Sequence, residues 1–192
     1  MNDIPDEEKM QIAEAHKPIL EPIEEKGFIL DIGGGGEGII GQLMGNQVIS
    51  IDKNKRELEE APSDNLKIVM DATDLQFLDE TFGTAASFYT LMYMDSETKQ
   101  KTINEVYRVL KTGGKFLVWD SEIPGEKPND KVEFFVVPLQ VKLPEKEIGT
   151  GYGVRFIFQD KKLISEMCKK AGFELHLKSE KDSMLYFEFI KK

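Results

Sequence analysis

One cysteine, one tryptophan and two histidines occur in 192 residues. A single thiol, Cys168, excludes an intramolecular disulfide and any zinc cluster built on cysteines. Within "LISEMCKK" it reads as buried packing. Positive charge is also short: 25 Lys and Arg stand against 35 Asp and Glu, a formal net charge of −10. The basic residues are scattered and never form a run of five. An acidic surface repels phosphate backbones, so a nucleic-acid partner is not expected. No apolar stretch approaches the ~20 residues that cross a bilayer, so no membrane partner is expected. The N-terminal "MNDIPDEEKMQ" is acidic and lacks the apolar centre of a secretory signal. Cytoplasmic residence is the resulting expectation. Internal repeats and low-complexity linkers are absent too.

What is present suits one soluble domain with a substantial core: 40% hydrophobic and 31% charged residues over this length. Residues 5–26 read as a helical stretch, with Pro5 in the first turn, breaks at Pro18 and Pro22, and Gly27 as the stop. An alternation follows. "FILDI" (28–32), "QVISID" (47–52), "NLKIVMD" (65–71), "TAASFYTL" (84–91) and "KFLVWD" (115–120) read as strands. Helical pieces lie between them, at 38–44, over "KNKRELEE", and over "SETKQKTINEVYRVLKTGG" (96–114). In the last, Ile103, Val106, Tyr107 and Leu110 recur at helical spacing, and Gly113 falls where a terminating glycine belongs. Strands alternating with helices predict a parallel sheet covered on both faces. Beyond residue 120 the order changes. "KVEFFVVPLQVKLP" and "GTGYGVRFIF" form a strand pair, 160–172 is a helix from Asp160 to Gly172, and two final strands joined by a short turn are antiparallel.

In such a sheet ligands sit at the carboxyl ends of the strands. Acids stand at four of those ends: Asp31, Asp52, Asp71 and Asp120. Gly33-x-Gly35-x-x-Gly38 leaves the first strand and opens a helix, and Asp52 follows about 20 residues on, where a carboxylate accepts from ribose hydroxyls. A dinucleotide would place its pyrophosphate on the helix N-terminus. Asp31, two residues before the first glycine, suits a cofactor bearing an ammonium or sulfonium group instead.

Together these stretches resemble the class I S-adenosylmethionine-dependent methyltransferases. "ILDIGGGGEG" is similar to their first motif, "ISID" to their acidic second-strand end, and "VMDATDLQF" to their third motif, with Gln76 in a proline's place. "YRVLKTGGKFLVWD" resembles their fifth-strand signature, and "AGFELHL…LYFEFI" their closing helix and hairpin. The resemblance covers about residues 28–120 and 160–192. It implies an α/β fold: a doubly wound, seven-stranded, mostly parallel sheet with a C-terminal antiparallel hairpin, in a three-layer sandwich. It also implies S-adenosylmethionine as cofactor. Gly33, Gly34 and Gly35 would admit its methionine part and Asp31 would favour its ammonium. Asp52 would hold the ribose, with Lys53 beside the adenine. Asp71 and Ala72 would bond the adenine, and Phe88 would line the pocket. The sequence departs from the family where Glu37 displaces the last glycine to Gly38, where Gly83 replaces an acid before strand four, and where Met92-Tyr93 replaces a polar or histidine pair.

The expected function is transfer of a methyl group to O, N, S or C of a small molecule. A protein acceptor, or cofactor binding without transfer, is the alternative. A nicotinamide-dependent oxidoreductase is disfavoured by Asp31 and by the lack of room for a substrate domain. One domain is expected over 1–192: a helical cap (1–27), a cofactor-binding core (28–120), an inserted strand pair (121–158) and a closing helix with hairpin (159–192). The inserted pair is either a lid over the substrate or the face of a homodimer. No catalytic motif stands out. Tyr93, His16 and Tyr152 are the candidates, His16 as a general base on the N-terminal segment. Asp120 and Glu122 could ligate a divalent metal, but they read as solvated strand-end acids, so no metal is assigned. His176 reads as structural.

Overall fold

Ile29–Ile32 (β2) is buried at every position, so it belongs inside a sheet covered on both faces. The computed structural model, which describes residues 7–181 and 183–192, places it there. β2 pairs in parallel with Val48–Asp52 (β3) on one side and Phe82–Phe88 (β5) on the other. Leu66–Val69 (β4) extends the sheet beyond β3, and Leu110–Ser121 (β6) pairs in parallel with β5. Phe173–Lys181 (β9) and Met184–Lys191 (β10) reverse direction, β10 lying antiparallel to both β6 and β9. The order β4-β3-β2-β5-β6-β10-β9 is the expected seven-stranded, mostly parallel sheet with its closing hairpin. The chain runs from β2 out to β4 and returns to β5, so the strand order reverses between β2 and β5. That reversal opens a crevice at their carboxyl ends.

Ser96–Val109 (α3) and Lys161–Ala171 (α4) cover one face through Ile103, Val106, Ile164 and Met167, with Cys168 fully buried among them. Asp160 caps α4 through the Leu163 N–H at 2.7 Å, and Gly172 ends it. The opposite face is covered by Ile39–Met44 (α1) and by a second, smaller sheet. In that sheet Phe134–Lys142 (β7) pairs antiparallel with Glu147–Arg155 (β8) and parallel with Met10–Ile12 (β1). Lys55–Glu60 (α2) connects β3 to β4.

The expected helical cap is corrected. Residues 1–6, including Pro5, lie outside the described residues. Residues 7–9 form one 3-10 turn, and the chain then runs extended along β7. His16 and Ile19 bridge in parallel to Leu139 and Lys142. Pro18 and Pro22 deny a helix two N–H groups, whereas an edge strand tolerates the loss. Pro18 keeps its carbonyl, which accepts from the Lys142 N–H at 2.9 Å. Burial alternates along this stretch, with His16, Pro18 and Leu20 inside and Lys17 and Ile19 outside, the period of a strand.

Two further boundaries move. Helix α3 ends at Val109, because Leu110 already has extended angles and pairs with Phe82. Gly113 therefore terminates no helix. It sits in a bend where β6 shifts register against β5. Strand β5 ends at Phe88, and residues 91–93 form a 3-10 turn.

Candidate cofactor and acceptor site

The loop from Gly33 to Gly38 leaves the carboxyl end of β2. The N–H groups of Gly33 and Gly34 both donate to the Ile51 carbonyl, at 2.9 and 3.0 Å, which ties the loop to β3. Gly36 donates to the Glu57 carbonyl at 2.9 Å. Side chains are excluded here first by the protein itself. A Cβ on Gly33 would lie 2.4 Å from Thr90 Cγ2, one on Gly34 2.2 Å from Asp31 Oδ2, and one on Gly35 2.5 Å from the Glu57 Cβ. Gly36 and Gly38, at φ 60° and 54°, make the left-handed turns that carry the chain into α1. Between them, Glu37 points to the small sheet. Its carboxylate accepts from Thr150 Oγ1 at 2.5 Å and from Tyr152 Oη at 2.9 Å.

Carboxylates gather around this loop. Asp31 is buried, with Ser50 Oγ donating to its Oδ2 at 3.0 Å and Asn65 Nδ2 donating to Ser50 at 2.9 Å. Burial pushes its carboxyl up to about 7, against the Ser50 hydrogen bond, and the charge of Asp52 adds to the rise. Asp52 Oδ1 accepts from the Asn54 N–H at 2.8 Å, and Asn54, not Asp52, caps α2. Glu57 lies over the loop. Burial raises its carboxyl, and the charges of Glu60, Asp52 and Glu37 raise it further.

The remaining expected cofactor residues flank the same crevice. Asp71 follows β4 at the surface, and its Oδ1 accepts from the N–H and hydroxyl of Thr73, both at 2.8 Å. Those hydrogen bonds hold its carboxyl below the usual range, and Lys53 contributes to the lowering. Lys53 is exposed and Ala72 half-buried. Phe88 is buried at the end of β5, edge-on to Tyr89 at 4.9 Å.

Beneath the small sheet, His16 is buried. Its Nδ1 lies 2.8 Å from Tyr89 Oη and its Nε2 2.8 Å from Ser183 Oγ. Tyr89 is buried with φ 51°, a strained backbone for a bulky residue, and its N–H donates to the Trp119 carbonyl at 2.7 Å. Its ring lies 5.8 Å from that of Tyr152. Burial holds the Tyr152 hydroxyl above its ordinary range, and Glu37 adds to the effect. Tyr93 is 49% exposed at the crevice mouth.

Asp120 is a correction. It is fully buried, not a solvated strand-end acid. Its Oδ1 accepts from the Ser121 N–H and from Gln159 Nε2, both at 2.8 Å, and Gln159 Oε1 accepts from the buried Lys99 Nζ at 2.6 Å. Burial raises the Asp120 carboxyl to about 6, with Lys99 opposing. Among the described residues no group of three or more His, Cys, Asp or Glu could hold a metal. His176 lies on the edge strand β9, exposed, 3.9 Å from Glu188.

Sequence reasoning missed Glu57, Tyr89 and Thr90. All three act on the loop or the crevice through tertiary contact. The one available signal was Tyr89 beside Phe88 at a strand's carboxyl end.

The strand order, with its reversal between β2 and β5 and its closing antiparallel hairpin, defines a class I methyltransferase-type fold. Residues 30–118 match the family model of a methyltransferase domain, and the chain shares the fold of solved S-adenosylmethionine-dependent methyltransferases. The matched methyltransferase domain implies S-adenosylmethionine as the cofactor. Among curated proteins, the chain is 33% identical over 110 residues to the sterol 4-C-methyltransferase of Caenorhabditis elegans, covering 57% of this chain and 32% of that protein. It is 32% identical over 117 residues to the ubiquinone/menaquinone biosynthesis C-methyltransferase of Cereibacter sphaeroides, covering 56% and 45%. The matched stretch thus spans less than half of each of these relatives. A solved S-adenosylmethionine-dependent methyltransferase from Methanosarcina mazei superposes with a TM-score of 0.62 at 18% identity, covering 88% of this chain and 94% of that one, a likeness of fold.

Proposed function

We propose that this protein transfers a methyl group from S-adenosylmethionine to a nucleophilic O, N, S or C of a small, partly apolar molecule. The observation that carries the reading is the carboxylate-lined glycine loop. Asp31, Asp52 and Glu57 converge on Gly33–Gly35, and the carboxyls of Asp31 and Glu57 stand above their ordinary range. Burial is the main cause of both rises and the neighbouring carboxylates add to them, an arrangement suited to a cationic ligand. The donor set fits the group. Asp31 suits its ammonium, Asp52 Oδ2 suits ribose hydroxyls, and Lys53, Asp71, Ala72 and Phe88 would flank the place for adenine. Asp71 has one oxygen committed to Thr73, so its other oxygen would serve the adenine amino group.

When bound, the cofactor supplies a methyl carbon already activated by its sulfonium. The protein's task is then alignment of nucleophile, carbon and sulfur, and exclusion of water. Phe88, Tyr89 and Tyr152 would wall the acceptor place, with the small sheet above it as a lid. Where the nucleophile arrives protonated, His16 is the base, reaching the site through the Tyr89 hydroxyl at 2.8 Å. The names of the curated relatives, which act on a sterol and in quinone biosynthesis, support an apolar acceptor.

Calorimetry with S-adenosylmethionine, S-adenosylhomocysteine and NAD tests the reading. Micromolar binding of the first two is expected. Binding of NAD with none of the sulfonium compound would overturn it. A finding of binding without turnover over a panel of quinol, phenol and sterol acceptors would favour a non-catalytic role, and methylation of protein substrates a protein acceptor. We also propose cytoplasmic residence, and a homodimer through the outer face of the 121–158 strand pair. Ile12 and Ile19, 60% and 65% exposed, extend that face. Sedimentation showing only monomer would remove the dimer.

A further inference from the structure

We propose that Glu37 is a positioning residue that passes cofactor occupancy of the glycine loop to β8, and so places Tyr152 against the acceptor. The proposal rests on the cofactor reading above and deepens it. Glu37 stands between two glycines in left-handed conformations, where the backbone is at its most permissive. Its side chain is anchored on β8. Both carboxylate oxygens are used, one by Thr150 and one by Tyr152, and hydrogen bonds to a charged acceptor are about twice as strong as neutral ones.

The same junction has a second tie. Gln42 on α1 donates its Nε2 to the Glu37 carbonyl at 2.5 Å, and its Oε1 accepts from Lys146 in the β7–β8 turn.

Strand β8 depends on these ties. Its outward positions Gly149, Gly151 and Gly153 carry no side chain, and a Cβ at Gly149 would meet nothing within 4 Å. Among the described residues it pairs on one side only, with β7. Besides that pairing, its inward side chains Ile148, Thr150, Tyr152 and Val154 place it, and two of those four end on Glu37. Tyr152 also faces Tyr89, which is bonded to His16. A loop stiffened by a bound cofactor fixes Glu37, Glu37 fixes Tyr152, and the acceptor wall forms. The order of events is cofactor first, acceptor second.

Hydrogen exchange read by mass spectrometry, with S-adenosylhomocysteine as the probe, tests this. In the unaltered protein the probe should slow exchange both at 29–38 and at 147–155. In Glu37→Gln the probe should bind within about threefold of the original affinity and still protect 29–36, while protection at 147–155 falls several-fold. Tyr152→Phe, which keeps the ring and removes one donor, should show a smaller loss in the same place, and serves if Glu37→Gln does not fold. Equal protection of 147–155 in variant and original overturns the proposal. So does a Glu37→Gln protein whose 147–155 exchange rises equally with and without the probe, since that is a structural role alone. Protection of 29–38 without 147–155 in the original protein defeats the coupling and leaves the cofactor reading intact. No binding of the probe at all defeats both.

Discussion

Replacing Asp31 by Asn should remove a pH dependence from cofactor binding. Asp31 is buried, holds one hydrogen bond from Ser50, and has its carboxyl raised from 3.8 to about 7. Without ligand it is mostly protonated at pH 6 and mostly ionised at pH 8. A cationic ligand favours the ionised form, so binding expels a proton at the lower pH. If only the ionised form binds, the apparent affinity of the original protein for S-adenosylmethionine is roughly tenfold weaker at pH 6 than at pH 8. The ligand's own ionisations are common to both proteins and cancel in the ratio of original to Asp31→Asn. The same raised carboxyl works against the ligand-free fold. The folded state holds the proton more tightly than the unfolded chain, so this contribution is favourable below about pH 4 and is lost as pH rises to about 7. At full ionisation the cost is about 4 kcal/mol, which Asp31→Asn escapes. Calorimetry in buffers of different ionisation enthalpy reads the proton release, and urea unfolding across pH 4–8 reads the stability. An unchanged ratio of affinities between pH 6 and 8, or parallel stability profiles, would refute the reasoning.

The other expectations are simpler. Asp52→Ala removes a charged acceptor whose Oδ2 faces the loop, and should weaken S-adenosylmethionine binding by about 1.5–3 kcal/mol, read by calorimetry. Gly34→Ala puts a methyl 2.2 Å from Asp31 Oδ2 and 2.6 Å from Ser50 Cβ, so it should displace the loop from β3 and abolish cofactor binding, with thermal unfolding reporting any loss of fold. Lys99→Met leaves Asp120 buried without its cation and should destabilise by about 3–5 kcal/mol. Adding Asp120→Asn to Lys99→Met should restore much of that in urea unfolding, and a purely additive double variant would show that the two charges are uncoupled.

The central fold was legible because fully buried parallel strands leave a strong mark. "ILDI" has no polar face, and its acid could only be explained by a ligand or a buried partner. The N-terminal stretch misled because its acids and Pro5 imitate a helix start, while the period-two burial of His16, Pro18 and Leu20 depends on β7, more than 100 residues away. Gly113 misled for a related reason. A glycine after a helical run reads as a stop, yet Leu110 leaves the helix early to pair with Phe82. Asp120 read as solvated because nothing local shows that Lys99 and Gln159 will enclose it.

Two of the three departures from the family pattern, at Gly83 and Glu37, resolve in one physical way, through side chains supplied from elsewhere. Gly83 stands where an acid is common, and a Cβ there would lie 2.3 Å from Glu25 Oε2. That carboxylate comes from the N-terminal segment and accepts from Thr84 Oγ1 at 2.9 Å, so the charge is kept and only its origin in the chain has moved. Glu37 is the converse. A side chain appears where the pattern has a glycine, and it reaches across to Thr150 and Tyr152 on β8. Single-sequence spacing cannot show either substitution, because each is balanced by a residue at least 58 positions away. The glycines of the loop mark where the backbone must be bare, but the crowding comes from Thr90, Asp31, Ser50 and Glu57. The bareness of Gly33, Gly34 and Gly35 is therefore required by the protein's own packing. That makes Glu57 a sharper probe of the site than the glycines themselves. Glu57→Gln keeps the packing against Gly35 and lowers the negative charge, so it should weaken the cationic S-adenosylmethionine more than the neutral-sulfur S-adenosylhomocysteine. Equal weakening of the two ligands in calorimetry would show that Glu57 shapes the loop and does not act on the ligand's charge.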